Sequence, residues 1–265
     1  MKQFRLTIAA CLLICSTDLM VTAQNLTAKE VRQKAIDVTR VKGTEAINTL
    51  TIISPKGDKR VRKMTSVTKL VDNGDTEKKL IRFVEPADVK GTGFLTYDYN
   101  TEDDDKWIYM PALRKTRRII TSENAKSFMG SEFSYADMSM PTVDDFNYKF
   151  HDDETINGTN CYVIEIIPKD DDIMDENGFS KKMVWISTDK FLIQKSVYYN
   201  LAGDKEKVMT VNAFIEVDPR NHLYKFKEME MVNLLENRKS ISRIEQIKFN
   251  PDIPDDYFTT RYLER

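Results

Sequence analysis

The sequence predicts a mainly β, antiparallel fold: a long meander, strongly curved and nearly a barrel, preceded by one helix. From Thr44 onward apolar and polar residues alternate with a period of two, the spacing that sends successive side chains to opposite faces of a strand. Turn signals such as Asn73-Gly74-Asp75, Asn157-Gly158 and Ala202-Gly203-Asp204 separate the alternating runs. About 240 residues follow the first segment with no Pro- or Gly-rich linker, a length that one large β domain fills.

Residues 1–23 read as a secretory signal peptide: basic Lys2 and Arg5, an apolar stretch over 6–15, and a small-residue exit at Val21-Thr22-Ala23. The stretch is too short to span a membrane. Cys11 and Cys15 sit in poor contexts for lipid attachment, so cleavage after Ala23 and export to the periplasm is expected, with a lipid anchor as the alternative. Residues 24–265 then form a single domain. Loss of Lys2, Arg5 and Asp18 moves the formal charge from −2 to about −3, which does not suit a nucleic-acid binder. Cys161 remains alone, cannot form an internal disulfide, and reads as a small buried hydrophobe.

Thr27-Ala28-Lys29-Glu30 is a capping box that opens a helix over 26–38, with Val31, Ala35 and Val38 at helical spacing. Strands are expected at 50–52, 61–64, 80–84, 94–99, 106–110, 115–120, 147–151, 161–167, 183–186, 192–199, 208–217, 224–234 and 240–249. Residues 121–146 interrupt this pattern, with Ser122 as a helical N-cap. A segment of this length inside a β domain is commonly a lid or binding loop. In the tail, Pro251 and Pro254 end the last strand, and Tyr257, Phe258, Tyr262 and Leu263 recur at helical spacing, as a short helix packed on the rim requires.

The run DDKWIYMPALRKTRRI at 104–119, followed by SFMGSEFSYADM at 127–138, resembles the outer-membrane lipoprotein-sorting family, the LolA-like domain. The resemblance is strongest over 90–140. It implies an unclosed β-barrel with an N-terminal helix and a helical or loop lid over its concave face, shielding a lipid or the acyl chains of a lipoprotein. On that basis Phe83, Leu95, Trp107, Tyr109 and Met110 are candidates for the cavity wall, and Phe128, Met129, Phe133, Tyr135 and Met138 for the lid. Methionine suits such a cavity because its unbranched, polarisable side chain adapts to ligands of varied shape. For any one of these residues taken singly, ordinary core packing is the more common explanation.

Arg114, Lys115, Arg117 and Arg118 fall in a strand-like run, with Arg114 and Arg118 on one face. These charges either protect a sheet edge from aggregation or, at Arg114 and Arg118, meet a lipid head group or an acidic partner. The acidic clusters 102–105 and 170–176 offer oxygen ligands but lack EF-hand spacing, and read as solvated turns; no metal is expected. Enzymatic signatures are absent: no GxSxG, HExxH, GxGxxG or Walker loop occurs, and His151 and His222 are the only histidines. The expected role is therefore a non-catalytic, monomeric, cofactor-free carrier of a lipid or lipoprotein, working with an inner-membrane exporter or outer-membrane acceptor. The alternative is an accessory or sensor protein of an envelope lipid-export system that uses the fold as a protein-binding surface.

Overall fold

Thr27 opens helix α1 (Ala28–Asp37) through the expected capping box. Its hydroxyl accepts the Glu30 N–H at 3.2 Å, and the Glu30 carboxylate accepts the Thr27 N–H at 2.7 Å. The computed structural model describes residues 26–100, 102–140 and 142–265; the expected signal peptide, residues 1–23, lies outside them. No described helix is long and apolar enough to cross a membrane.

The strands form one antiparallel sheet of 13 strands. Its first wing is β1 (Gly43–Ile53), β2 (Lys59–Val71), β3 (Thr76–Glu85), β4 (Gly93–Tyr99), β5 (Asp105–Met110) and β6 (Lys115–Arg118). Its second wing is β7 (Phe146–Ile156), β8 (Thr159–Pro168), β9 (Lys181–Ser187), β10 (Ile193–Tyr199), β11 (Lys205–Asp218), β12 (Leu223–Asn233) and β13 (Arg238–Phe249). The order runs from β6 back to β1, then from β13 to β7, so β1 and β13 join the wings and β6 and β7 are free edges. The sheet is thus curved and unclosed rather than a barrel. Bulges in β13, at Glu245, and in β11 contribute to its bending. The chain passes from one free edge to the other between β6 and β7, and the described residues of this connection, 119–140 and 142–145, lie over the concave face.

Both faces carry apolar clusters. The larger, concave-side core includes Val31 and Ala35 of α1, Phe83, Phe94, Phe128, Ile164, Ile186 and Met231. On the opposite face of β3 and β4, Leu80 and Leu95 pack with Ile253, Phe258 and Leu263 of the C-terminal tail. There a 3-10 turn (Asp255–Phe258) leads into the short helix α3 (Thr260–Leu263), as the helical spacing predicts. Gly93 permits the contact: a Cβ at this position would lie 2.5 Å from Leu263 Cδ1.

Three local expectations are corrected. The acidic run at 170–176 is not a plain turn but leads into helix α2 (Asp171–Asn177), capped by the Asp170 carboxylate accepting the Ile173 N–H at 2.9 Å. Its acidic first turn suits the positive end of the helix dipole. Ser122 is not an N-cap; it sits inside a 3-10 turn (Thr121–Glu123) that has no side-chain cap. Arg114 is not on a strand either. It takes a left-handed conformation (φ 47°) after the turn Pro111–Leu113, and β6 begins at Lys115.

Candidate functional site

Strands β3, β4 and β5 each present an alternate set of residues to the concave face, and each set changes character along its length. Register pairs Glu77 with Asp98, Lys79 with Thr96, and Ile81 with Phe94; Thr96 then pairs with Lys106 and Phe94 with Ile108. One end of this surface is therefore charged, and the other is apolar and aromatic.

The connecting segment divides its work accordingly. Phe128 covers the apolar end, its ring centroid 5.3 Å from Phe94 and 5.6 Å from Tyr135, with all three rings buried. This lobe is anchored across the concavity. Arg238 Nη2 donates to Gly130 O at 3.0 Å and pairs through Nε with Glu132 at 2.9 Å, while the Glu132 N–H donates to Ser240 Oγ at 3.0 Å. Arg62 donates to the Met129 carbonyl from the first wing. The lid tip is thus a pinned plug that spans both wings.

Over the charged end lies a cavity of about 330 Å³. Arg32, Ala35 and Ile36 of α1, Arg40 just beyond it, residues 136–140 and Thr142 of the connecting segment, Phe146 and Tyr148 of β7, Phe179, and Phe226 and Met229 of β12 line its sides. Its floor takes Glu77, Lys79 and Lys106 from the first wing, and Lys182, Ser196, Tyr198, Met209 and Lys225 from the second. The lining is therefore amphipathic.

Its charges fall into paired and unpaired sets. Lys79 Nζ lies 2.9 Å from Glu77 and 3.7 Å from Asp98, and donates to Met138 O at 2.7 Å. Burial alone would depress the Lys79 ammonium, but Glu77 and Asp98 hold it well above its ordinary value. Burial would raise Glu77, yet Lys79 and Lys225 bring it down to about 2. Asp98, wholly buried, goes the other way: burial outweighs Lys79 and pushes it up to about 7. Lys106 pairs with Asp104 at 3.1 Å and donates to Asn124 at 3.0 Å. Among the described residues Arg32, Arg40, Lys182 and Lys225 have no carboxylate within ion-pairing distance. Burial lowers Arg32 and Lys225, and takes Lys182 down to about 8 despite Asp137.

The expected site residues are dispersed relative to this cavity. Of the lid candidates, Phe133 and Met138 line it, Phe128 and Tyr135 belong to the aromatic plug, and Met129 packs on the core beside it. Of the wall candidates, Phe83 and Met110 face the concave side near the plug but do not line the cavity. Leu95, Trp107 and Tyr109 are corrected outright. Strand alternation turns them to the opposite face, where they pack against the C-terminal tail. Arg114 and Arg118 are exposed on the β6 side and line no part of the cavity; Arg118 pairs with Asp105 and Arg117 with Glu123 at 2.7 Å, as charges on an edge strand do. Sequence reasoning did not single out Arg32, Lys182 or Lys225. The signal was a cation at a position whose spacing belongs to the apolar stripe, as Arg32 is four residues after Ala28 and three before Ala35.

Comparison with known proteins places this arrangement. A family model described as an uncharacterized protein matches residues 75–265. No curated protein matches the chain. An outer membrane lipoprotein-sorting protein domain from Vibrio parahaemolyticus superposes with a TM-score of 0.82 at 26% identity, covering 90% of this chain and 98% of that one. A DUF1329 family protein from Desulfovibrio piger gives 0.82 at 25% identity, with 89% and 97% covered. A LolA superfamily protein from Nitrosomonas europaea shares the fold, with a TM-score of 0.69 at 18% identity and 89% and 99% covered.

Proposed function

We propose that this chain, which belongs to a family described as an uncharacterized protein and has outer-membrane lipoprotein-sorting and DUF1329 proteins as structural neighbours, is a non-catalytic periplasmic carrier that holds a lipid or a lipoprotein acyl chain and passes it toward the outer membrane. The observation that carries this reading is the amphipathic cavity between α1, the connecting segment and the concave sheet face. Its volume is at the lower end of ligand pockets, which span roughly 300–1,000 Å³, and so suits a single aliphatic chain. Met138, Met140, Met209 and Met229 give that chain an adaptable wall. Each methylene withdrawn from water contributes about 0.8 kcal/mol, so one chain is enough for useful affinity.

Delivery requires the cavity to open. Residues 136–140 and Thr142 border the cavity directly and are only partly buried, which makes them the natural moving part. The protein purified from its native envelope, extracted with organic solvent and analysed by lipid mass spectrometry, is expected to release a stoichiometric amphiphile. An extract with no amphiphile above background overturns the carrier reading.

A second reading, an accessory or sensor protein of an envelope export system, is favoured by one observation. Strand β7 is a free edge with most of its residues exposed, including Phe150. Such an edge can accept a partner's strand. Stable capture of a membrane exporter, lost when β7 carries a proline, supports this reading.

A further inference from the structure

We infer that the cavity selects anionic amphiphiles, seating an oxyanion head group, carboxylate or phosphate, between Arg32 and Lys182; the inference rests on the carrier reading above. Arg32 projects from the otherwise apolar face of α1 and is 8% exposed, yet it makes no hydrogen bond or ion pair among the described residues. A buried cation without a partner is costly and is retained where something else compensates it. Lys182 faces the same cavity, with its ammonium over the Tyr198 ring.

The carboxylate that acts on Lys182, Asp137, is already engaged. Asp137 Oδ1 accepts the Tyr198 hydroxyl at 3.0 Å, and Oδ2 accepts the Ser134 N–H at 2.8 Å and its hydroxyl at 3.0 Å. Asp137 therefore tempers the local field without pairing with either cation. Three further groups on residues lining the cavity, Arg40 Nη2, Ser139 Oγ and Ser196 Oγ, are buried and have no hydrogen-bond partner among the described residues. Such groups need a polar partner in the native state. An oxyanion supplies acceptors to both cations and both hydroxyls, and its aliphatic chain extends along Met138, Phe146, Phe226 and Met229.

The test is calorimetric titration of the delipidated protein with three probes: lauroyl lysophosphatidic acid, its neutral counterpart lauroylglycerol, and inorganic phosphate. The wild type is expected to bind the anionic amphiphile at least about tenfold more tightly than the neutral one, the range of a charge-assisted hydrogen bond. Arg32→Met with Lys182→Met is expected to bring the ratio of the two affinities, anionic over neutral, down to about one. Lys182→Arg alone is expected to keep it, which separates lost charge from lost fold.

Equal binding of both amphiphiles overturns the head-group site and leaves the carrier reading standing. Binding of phosphate alone keeps the oxyanion site, identifies a free solute as its source, and overturns the carrier reading. No binding of any probe overturns both. A preference that survives in the double variant overturns the assignment to Arg32 and Lys182.

Discussion

Lys182 Nζ lies 4.1 Å from the ring centroid of Tyr198, its cross-strand partner on β10, and that tyrosine's hydroxyl is committed to Asp137. The ring face offers the ammonium some electrostatic compensation but no hydrogen-bond acceptor. The cavity thus keeps a strained cation in place without neutralising it.

That strain is readable in the pH dependence of stability. Lys182 is lowered from 10.5 to about 8 in the folded protein by burial, opposed by Asp137 and reinforced by Arg32. Between those values the unfolded chain holds a proton the fold lacks, so stability rises with pH across that window. Tyr198, raised well above 10.0 by burial and Asp137, contributes the opposite slope above about pH 10. Without ligand, Lys182→Met is expected to be more stable than the wild type at neutral pH, with the gap closing as pH rises through 8 toward 10. Denaturant midpoints measured across that range check this, and a gap independent of pH contradicts it.

Asp98 makes a separable prediction. Its folded value of about 7 stands above its ordinary 3.8, so its contribution is fully present below about pH 3.8 and lost as pH rises through 7. Asp98→Asn is expected to raise the melting temperature near pH 8 and to change it little near pH 4. Thermal scans at the two pH values decide the point.

Glu77 has the reverse sign. Held at about 2 by Lys79 and Lys225 against burial, it stabilises the fold above about pH 4.5, and that contribution is lost as pH falls through 2. Glu77→Gln leaves Lys79 facing only Asp98, and removing one member of a buried pair costs about 3–5 kcal/mol. Urea denaturation at neutral pH measures the loss.

The aromatic plug is expected to be structural. Phe128 is 1% exposed and touches Phe83, Phe94 and Tyr135. Phe128→Ala is expected to cost about 3–5 kcal/mol. Ligand affinity, corrected for unfolding, is expected to change little, because Phe128 does not line the cavity.

Much of the fold was legible in the sequence because its signals are local. The capping box at Thr27 and Glu30, the alternation of β3 and β4, and the Tyr257–Leu263 spacing each report short-range geometry, and each element forms as expected. The site was less legible because it depends on which face of a strand meets which neighbour. Trp107 and Tyr109 are as aromatic as any cavity wall, but one residue of parity sends them to the tail while Lys106 and Ile108 face inward. The unpaired cations were invisible for a related reason: a Lys182 turned to solvent and one turned into the cavity read alike until β9 and β10 are paired. Helix α2 was missed because its seven residues are too few for periodicity to outweigh an acidic composition.

Photocrosslinking with a single-chain amphiphile that carries a diazirine in its tail tests the central claim most directly. Adducts mapped by peptide mass spectrometry are expected on the cavity lining, at Met138, Met140, Phe146, Phe226 and Met229. Adducts confined to Leu95, Trp107, Tyr109 and the C-terminal tail would place the ligand on the opposite face and contradict the account.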